Sequence, residues 1–217
     1  MRYLFGVFFI LLAVSANAAD HRAELLNEAP PSDGFSAAIL EKISATGFKV
    51  IRGKSRTTCE IWPCKEWSVK EGFEPSDDLL YPFEPGQLIG VLRFPRRGKD
   101  FREQTMDKGL YVLRYALQPT DGNHEGTSPT RDFLVMTRAE NDQSPAPIEV
   151  KSLLTKSAEA AQSSHPAMLC LQKAVGKQKP LSTRHNEEND WWIVRFVGKA
   201  NNAEIPVDLI VAGHANE

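Results

Sequence analysis

Short runs of alternating apolar and polar residues, bounded by Pro or Gly, occur along most of this 217-residue chain. The clearest run is Gly109 to Gln118, in which two sets of side chains alternate. This alternation is typical of a β-strand, because successive side chains point to opposite faces of a sheet. One set includes Arg114, so we expect that face either to be partly solvated or to bury an ion pair.

Further strands are predicted by the same criteria at 48–52, 58–62, 66–70, 87–94, 132–137, 167–172, 191–197 and 205–211. Only two stretches have helical spacing, 35–45 and 150–162, and Ser32 or Asp33 could cap the first. Residues 174–190 are polar and predict a hairpin or a loop. Because long helices do not alternate with the strands, the pattern favours a mainly β fold. We expect an antiparallel β-sandwich or jelly-roll-like domain with two short helices.

The N-terminus has the three parts of a secretory signal peptide: Arg2, an apolar run at 4–14, and small residues at Ala16 and Ala18. The apolar run is about half of the roughly 20 residues that span a bilayer, so a membrane anchor is disfavoured. We therefore expect cleavage near Ala18 and a secreted or periplasmic protein that does not span the membrane. Residues 1–18 would be the signal peptide, 19–34 a flexible arm, and 35–217 a single β-sandwich domain.

The charge balance argues against a nucleic-acid partner. Lys and Arg number 26 against 28 Asp and Glu, which gives a formal net charge of −2 and no basic excess for a polyanion. A small molecule, a carbohydrate or an envelope protein remains as the partner. The four Trp residues could stack on sugars, although an exposed Trp can equally serve an interface.

Export would place the three cysteines in an oxidising compartment, where disulfides persist. Cys59 and Cys64 are the candidate pair, but five residues of extended strand span about 16 Å, beyond the roughly 7 Å Cα limit of a bridge. The pair therefore requires a turn across Pro63. A bridge to Cys170 and three reduced thiols are the alternatives.

The loop from Gln118 to Asp132 is longer than a hairpin needs and is rich in ionisable side chains. Sites are often built on loops of a rigid sheet, so it is the first candidate ligand site. Its candidate ligand-binding residues are Asp121, His124, Glu125, Arg131 and Asp132. Asp121 and His124 suit a divalent metal, and His124 could act as a general base. The alternative is a structural loop held by Asx turns and by Arg131.

The segment His165-Pro166-Ala167-Met168-Leu169-Cys170 contains three soft ligand types. A copper site is disfavoured, because a strand places Met168 and Cys170 on one face and His165 on the other. If His165 and His124 converge, however, they form a two-histidine site with Asp121 or Glu125. We predict no cofactor, with a divalent metal at that place as the alternative.

The sequence has no GxSxG, HExxH, phosphate-loop or dinucleotide motif. Residues 109–124 (GLYVLRYALQPTDGNH), 131–134 (RDFL) and 165–167 (HPA), with Glu60 to Trp62, resemble an uncharacterised family of secreted bacterial proteins. The resemblance covers most of the chain from about Phe48. It implies export and a mainly β domain, and it carries no assigned activity. The cysteines that flank Glu60 to Trp62 look like an addition to the family pattern.

These observations favour an exported ligand-binding or envelope-associated module of unknown function over an enzyme. The alternative is a metal-dependent hydrolase or redox protein that uses His124 and His165.

Overall fold

The computed structural model describes residues 20–120, 128–201 and 203–215. Two helices, α1 (Ala37–Lys42) and α2 (Val150–Ala161), accompany twelve strands in this part of the chain. The strands are β1 (His21–Leu26), β2 (Gly47–Arg52), β3 (Arg56–Pro63), β4 (Leu88–Phe94), β5 (Gly98–Lys99), β6 (Thr105–Met106), β7 (Gly109–Leu117), β8 (Asp132–Arg138), β9 (Met168–Gln172), β10 (Ser182–Asn186), β11 (Trp191–Ala200) and β12 (Ala203–Ala212).

Ten of these strands form one antiparallel sheet in the order β1-β2-β3-β4-β7-β8-β9-β12-β11-β10. The sheet curves until its two edge strands meet, so that it is nearly closed and barrel-like. At this junction, which we call the seam, the Ala23 amide of β1 donates to Thr183 Oγ1 of β10 at 2.9 Å. The predicted mainly β, antiparallel class with two short helices is confirmed.

The core lies inside the curved sheet, where Phe48, Val50, Ile61, Val194 and Leu209 are buried together. Helix α2 covers the opposite face near β7 and β8, with Leu153 packed against Ala116 and Val135. Both faces of these two strands are thus buried. The alternation of β7 therefore does not separate a wet face from a dry one.

Arg114 of β7 forms a buried ion pair, one of the two outcomes that the sequence predicted. Its Nε and Nη2 each donate to Asp142 at 2.7 Å, and both side chains are 0% exposed. Thr137 Oγ1 also donates to Asp142, and the carbonyls of Gly86 and Ala146 accept from Arg114 Nη1. Since both charges are paired, the network fixes the position of the loop after β8 relative to strand β7.

One sequence prediction about the edges of the sheet needs correction. Residues 19–34, expected as a flexible arm, contain β1, which pairs along its length with β2. The segment looked irregular because the residues of β1, HRAELL, do not alternate between polar and apolar, and none of them is fully buried. The polar segment 174–190, predicted as a hairpin or a loop, contains β10, which forms a hairpin with β11 just beyond the segment.

The predicted strand at 66–70 does not form. Trp67 leaves the sheet and inserts into the core, where its Nε1 donates to the carbonyl of Ile89 at 2.8 Å. Its backbone amide donates to Lys199. The alternation of this segment thus reflects one buried anchor rather than ladder pairing. Helix α1 is also shorter than predicted. Its N-cap is Ser36, whose Oγ accepts from the Ile39 amide, and not Ser32 or Asp33.

The candidate Cys59–Cys64 disulfide does not form: Cys59, Cys64 and Cys170 are all free and buried, as in the alternative of three reduced thiols. Strand β3 runs without a turn from Arg56 to Pro63, so the segment keeps Cys59 and Cys64 apart. Five extended residues span about 16 Å, too far for a disulfide.

Candidate functional site

A cavity of about 680 Å³ opens at the end of the sheet where β2 turns into β3. We call it the basic cavity. Five cationic side chains line one side of it: Arg52, Arg56, Arg96, Arg97 and Lys99. His21 and Trp192 lie across the seam from one another in the same lining, and the floor contains Phe94, Leu169 and Ile210. Its volume is within the range of about 300–1,000 Å³ that is usual for small-molecule sites.

The strand register explains how the arginines reach this place. Phe48, Val50 and Arg52 alternate along β2, so they share one face of the sheet. Phe48 and Val50 belong to the core, and Arg52 extends the same face to the end of the strand. Arg52 is paired with Arg56 of β3 on one side and with His21 of β1 on the other. The register thus places two cations and an imidazole side by side at the mouth.

Three of the five cations have no carboxylate partner in the part of the chain that the structure describes. Arg52, Arg56 and Arg96 are exposed and make no ion pair or side-chain hydrogen bond within the described residues. Arg97 lies 3.6 Å from Asp107, and Lys99 Nζ binds Glu103 at 3.0 Å. The described part of the cavity therefore presents three guanidinium groups that are free to bind an anion.

The other carboxylates of the lining are already engaged. Asp190 binds His185 Nε2 at 2.8 Å. Asp100 is buried and accepts from the amides of Arg102, Gln104 and Met168. Burial raises the pKa of Asp100, although those bonds oppose the rise. These acids hold the surrounding loops and do not neutralise Arg52, Arg56 or Arg96.

An aromatic stack closes the seam beside the arginines. The Trp192 ring lies on His185, with ring centroids 4.5 Å apart, and reaches His21 at 5.3 Å. Burial, and then the charge of Arg52, lowers the pKa of His21 to about 4, so its imidazole is neutral near pH 7. His21 Nδ1 and Trp192 Nε1 are both buried without a hydrogen-bond partner in the described residues. This wall therefore has polar atoms whose hydrogen bonding is unsatisfied.

The nucleophilic side chains of the lining are not activated. Burial raises the pKa of the Cys59 thiol to about 12, so the thiol stays protonated. Thr58 Oγ1 donates to the carbonyl of Val50. Neither Cys59 nor Thr58 is therefore an activated nucleophile.

A second cavity, of about 490 Å³, lies near Leu25 and Phe48. Its lining includes Lys65, whose Nζ already donates to the carbonyl of Glu41 at 2.7 Å. Since Leu25 and Phe48 are paired in the same ladder as His21 and Arg52, the two cavities lie at opposite ends of β1 and β2. This second cavity lacks the group of unpaired arginines that distinguishes the basic cavity.

The described residues include the two ends of the loop that the sequence singled out. Asp121, His124 and Glu125 lie outside the described residues. Arg131 Nε donates to the carbonyl of Gln118 at 3.0 Å, which joins the two stems of the loop.

Asp132, expected as a ligand residue, is instead completely buried. It accepts from the Leu80 and Tyr81 amides at 3.1 and 3.2 Å and from Tyr115 Oη at 2.5 Å. Burial raises the pKa of Asp132, and those donors oppose the rise. All of these contacts are internal, so Asp132 fixes the 80–81 segment to β7 and β8.

His165 is exposed in the turn after α2, where its amide donates to Ser163 Oγ. Among the described residues there is no group of three or more His, Cys, Asp or Glu suited to a metal ion. The convergence of His124 with His165 stays a prediction, because His124 lies outside the described part of the chain. Cys170 is buried, and its Sγ contacts Thr130 Oγ1 at 3.4 Å.

Sequence reasoning missed the basic cavity because its residues are far apart in the chain. The net charge of −2 hides a local excess, and 96–99 reads only as a charged turn. The one sequence feature that indicates the basic cavity is the pair Arg52 and Arg56 on either side of a short hairpin turn. Antiparallel pairing there brings the two like charges together.

No protein-family model, curated protein or solved structure matches the chain. Within the described residues, no helix is both long enough and apolar enough to cross a membrane.

Proposed function

We propose that this protein is an exported ligand-binding module that holds a small anionic molecule in the basic cavity. One observation carries the proposal: Arg52, Arg56 and Arg96 converge on a cavity of ligand size without a carboxylate partner among the described residues. Export is supported by the signal-peptide pattern at 1–18. The negative charge of the ligand is supported by the three free arginines.

The electrostatics of the cavity favour an anion. Arg52 and Arg56 are directly paired across β2 and β3, and like charges in that arrangement repel one another. A bound anion would replace this repulsion with attraction. Guanidinium groups present paired N–H donors that match the oxygens of a carboxylate or a phosphate. Binding should therefore stabilise the folded protein by mass action.

The test compares thermal stability in a panel of oxyanions at constant ionic strength. Phosphate, pyrophosphate, citrate and hexyl phosphate are added separately to the full chain and to the variant Arg52→Gln/Arg56→Gln. We expect at least one anion to raise the Tm of the natural protein and to lose most of that effect in the variant.

The matched control is Lys177→Gln/Lys179→Gln, which removes the same charge from an exposed loop. It should respond to the anions as the natural protein does. If no anion raises Tm, or if both double variants respond alike, the proposal is wrong.

A further inference from the structure

We infer that the ligand of the basic cavity is an amphipathic oxyanion, with a carboxylate or phosphate head and an apolar body. The inference rests on the proposed function and specifies its ligand class. It comes from the distribution of polar and apolar groups over the lining. An inorganic ion could use the arginines alone and would leave the rest of the cavity without a role.

The cationic groups are confined to one side of the cavity. Arg52 and Arg56 lie at the hairpin between β2 and β3, and Arg96, Arg97 and Lys99 follow the end of β4. The head of the ligand would lie here, since this side contains the unpaired guanidinium groups.

The floor is apolar and belongs to the protein interior. Phe94, Leu169 and Ile210 all line the cavity and are at most 4% exposed. They come from three strands, β4, β9 and β12, so the wall is held rigidly by the sheet. An alkyl or aryl body placed against this wall would bury apolar surface, which is favourable in proportion to its area.

The aromatic stack of His21, Trp192 and His185 is the third feature of the cavity that could contact the ligand. Trp192 lines the cavity with its ring on His185, and its Nε1 has no partner within the described residues. The three other tryptophans, Trp62, Trp67 and Trp191, are at most 5% exposed. Trp192 is thus the tryptophan best placed to report an occupied cavity by its fluorescence.

The experiment is a titration of the full chain with ethyl, butyl and hexyl phosphate, each kept monomeric, with inorganic phosphate as the reference. Fluorescence of the natural protein and of Trp192→Phe is recorded, and Kd is measured by calorimetry. We expect the affinity to rise by about threefold to fourfold for each methylene buried. The fluorescence change should be lost in Trp192→Phe.

The outcomes separate this inference from the proposed function. If phosphate and all three alkyl phosphates bind with equal affinity and depend on Arg52 and Arg56, the ligand is an anion without an apolar body, so the inference fails while the proposed function stands. If none of them binds, both fail. The protein could instead co-sediment with vesicles of phosphatidylcholine and phosphatidic acid in equal parts and fail to bind monomeric hexyl phosphate. That result would identify a membrane surface as the ligand and overturn the inference.

Discussion

His21 is the residue through which pH acts most directly on this site. Its imidazole is held neutral by burial and by Arg52, which together lower its pKa to about 4, against 6.5 for the free side chain. Between these values the unfolded chain binds more protons than the folded one, so stability rises with pH. Above about pH 6.5 the neutral His21 does not reduce the stability of the fold. As the pH falls from 6.5 towards 4, the unfolded chain is protonated first and the folded protein loses stability.

We therefore expect His21→Gln to weaken the pH dependence of folding. Between pH 7 and pH 5 the variant should lose about 1 kcal/mol less stability than the natural protein, after discounting for the partial exposure of His21. Urea denaturation at the two pH values measures this difference. The control is His165→Gln, at an exposed position. A control that changes the pH dependence as much as His21→Gln would contradict this account of His21.

A comparison of two tryptophan variants tests whether Trp192 contributes to the stability of the fold or is free to contact a ligand. Trp67→Phe removes one of the two donors to the buried carbonyl of Ile89, the other being the Cys64 amide, and opens a void, so it should cost more than about 2 kcal/mol. Trp192→Phe removes no hydrogen bond found within the described residues and should cost less than about 1 kcal/mol. Denaturant unfolding of the two variants makes the comparison. Equal losses would mean that Trp192 Nε1 serves the fold.

Individual residues were only partly predictable from the sequence. Arg114 within an apolar strand predicts either a wet face or an ion pair, and the buried pair with Asp142 is what forms. Asp132 could not be assigned in the same way. Its partners Leu80 and Tyr81 are some fifty residues away along the chain, so a local pattern cannot separate a ligand residue from a buried anchor.

At the level of elements, the seam between β1 and β10 is the weakest junction of the sheet. One backbone amide crosses it in the described residues, from Ala23 to a Thr183 side chain. Because antiparallel strands alternate the direction of their amides, those of His21 and Leu25 also face the seam. The amides of Arg22 and Glu24 face β2 instead.

Hydrogen exchange should reveal this alternation. We expect the amides of Arg22 and Glu24 to be protected, those of His21 and Leu25 to exchange rapidly, and Ala23 to be intermediate. In Thr183→Val the Ala23 amide should exchange as fast as that of Leu25. Uniform protection along β1 would show instead that the backbones of β1 and β10 are hydrogen-bonded.

The elements themselves were predicted best where both pattern and length were strong. β7, β8 and α2 lie close to their expected positions. β1 is an edge strand whose residues do not alternate and are not fully buried, so its sequence resembles that of a loop. The segment 66–70 shows the opposite error, because alternation also arises when a single Trp is anchored in a core.

For the whole molecule, the net charge is a poor guide to the partner. A total of −2 argues against a general polyanion binder, yet five cations line one cavity at one end of the sheet. The pairing of β3 with β4 creates this asymmetry, because it places the end of β4 beside the β2–β3 hairpin. Long-range pairing of this kind has no counterpart in a local sequence pattern, so the cavity could be found only from the fold.

Calorimetric titration of the full chain with hexyl phosphate at constant ionic strength tests whether the basic cavity binds an amphipathic anion. We predict saturable binding of one molecule per chain, weakened by about tenfold or more in Arg52→Gln/Arg56→Gln and unchanged in Lys177→Gln/Lys179→Gln. No saturable binding, or equal affinity in the two double variants, would contradict this prediction.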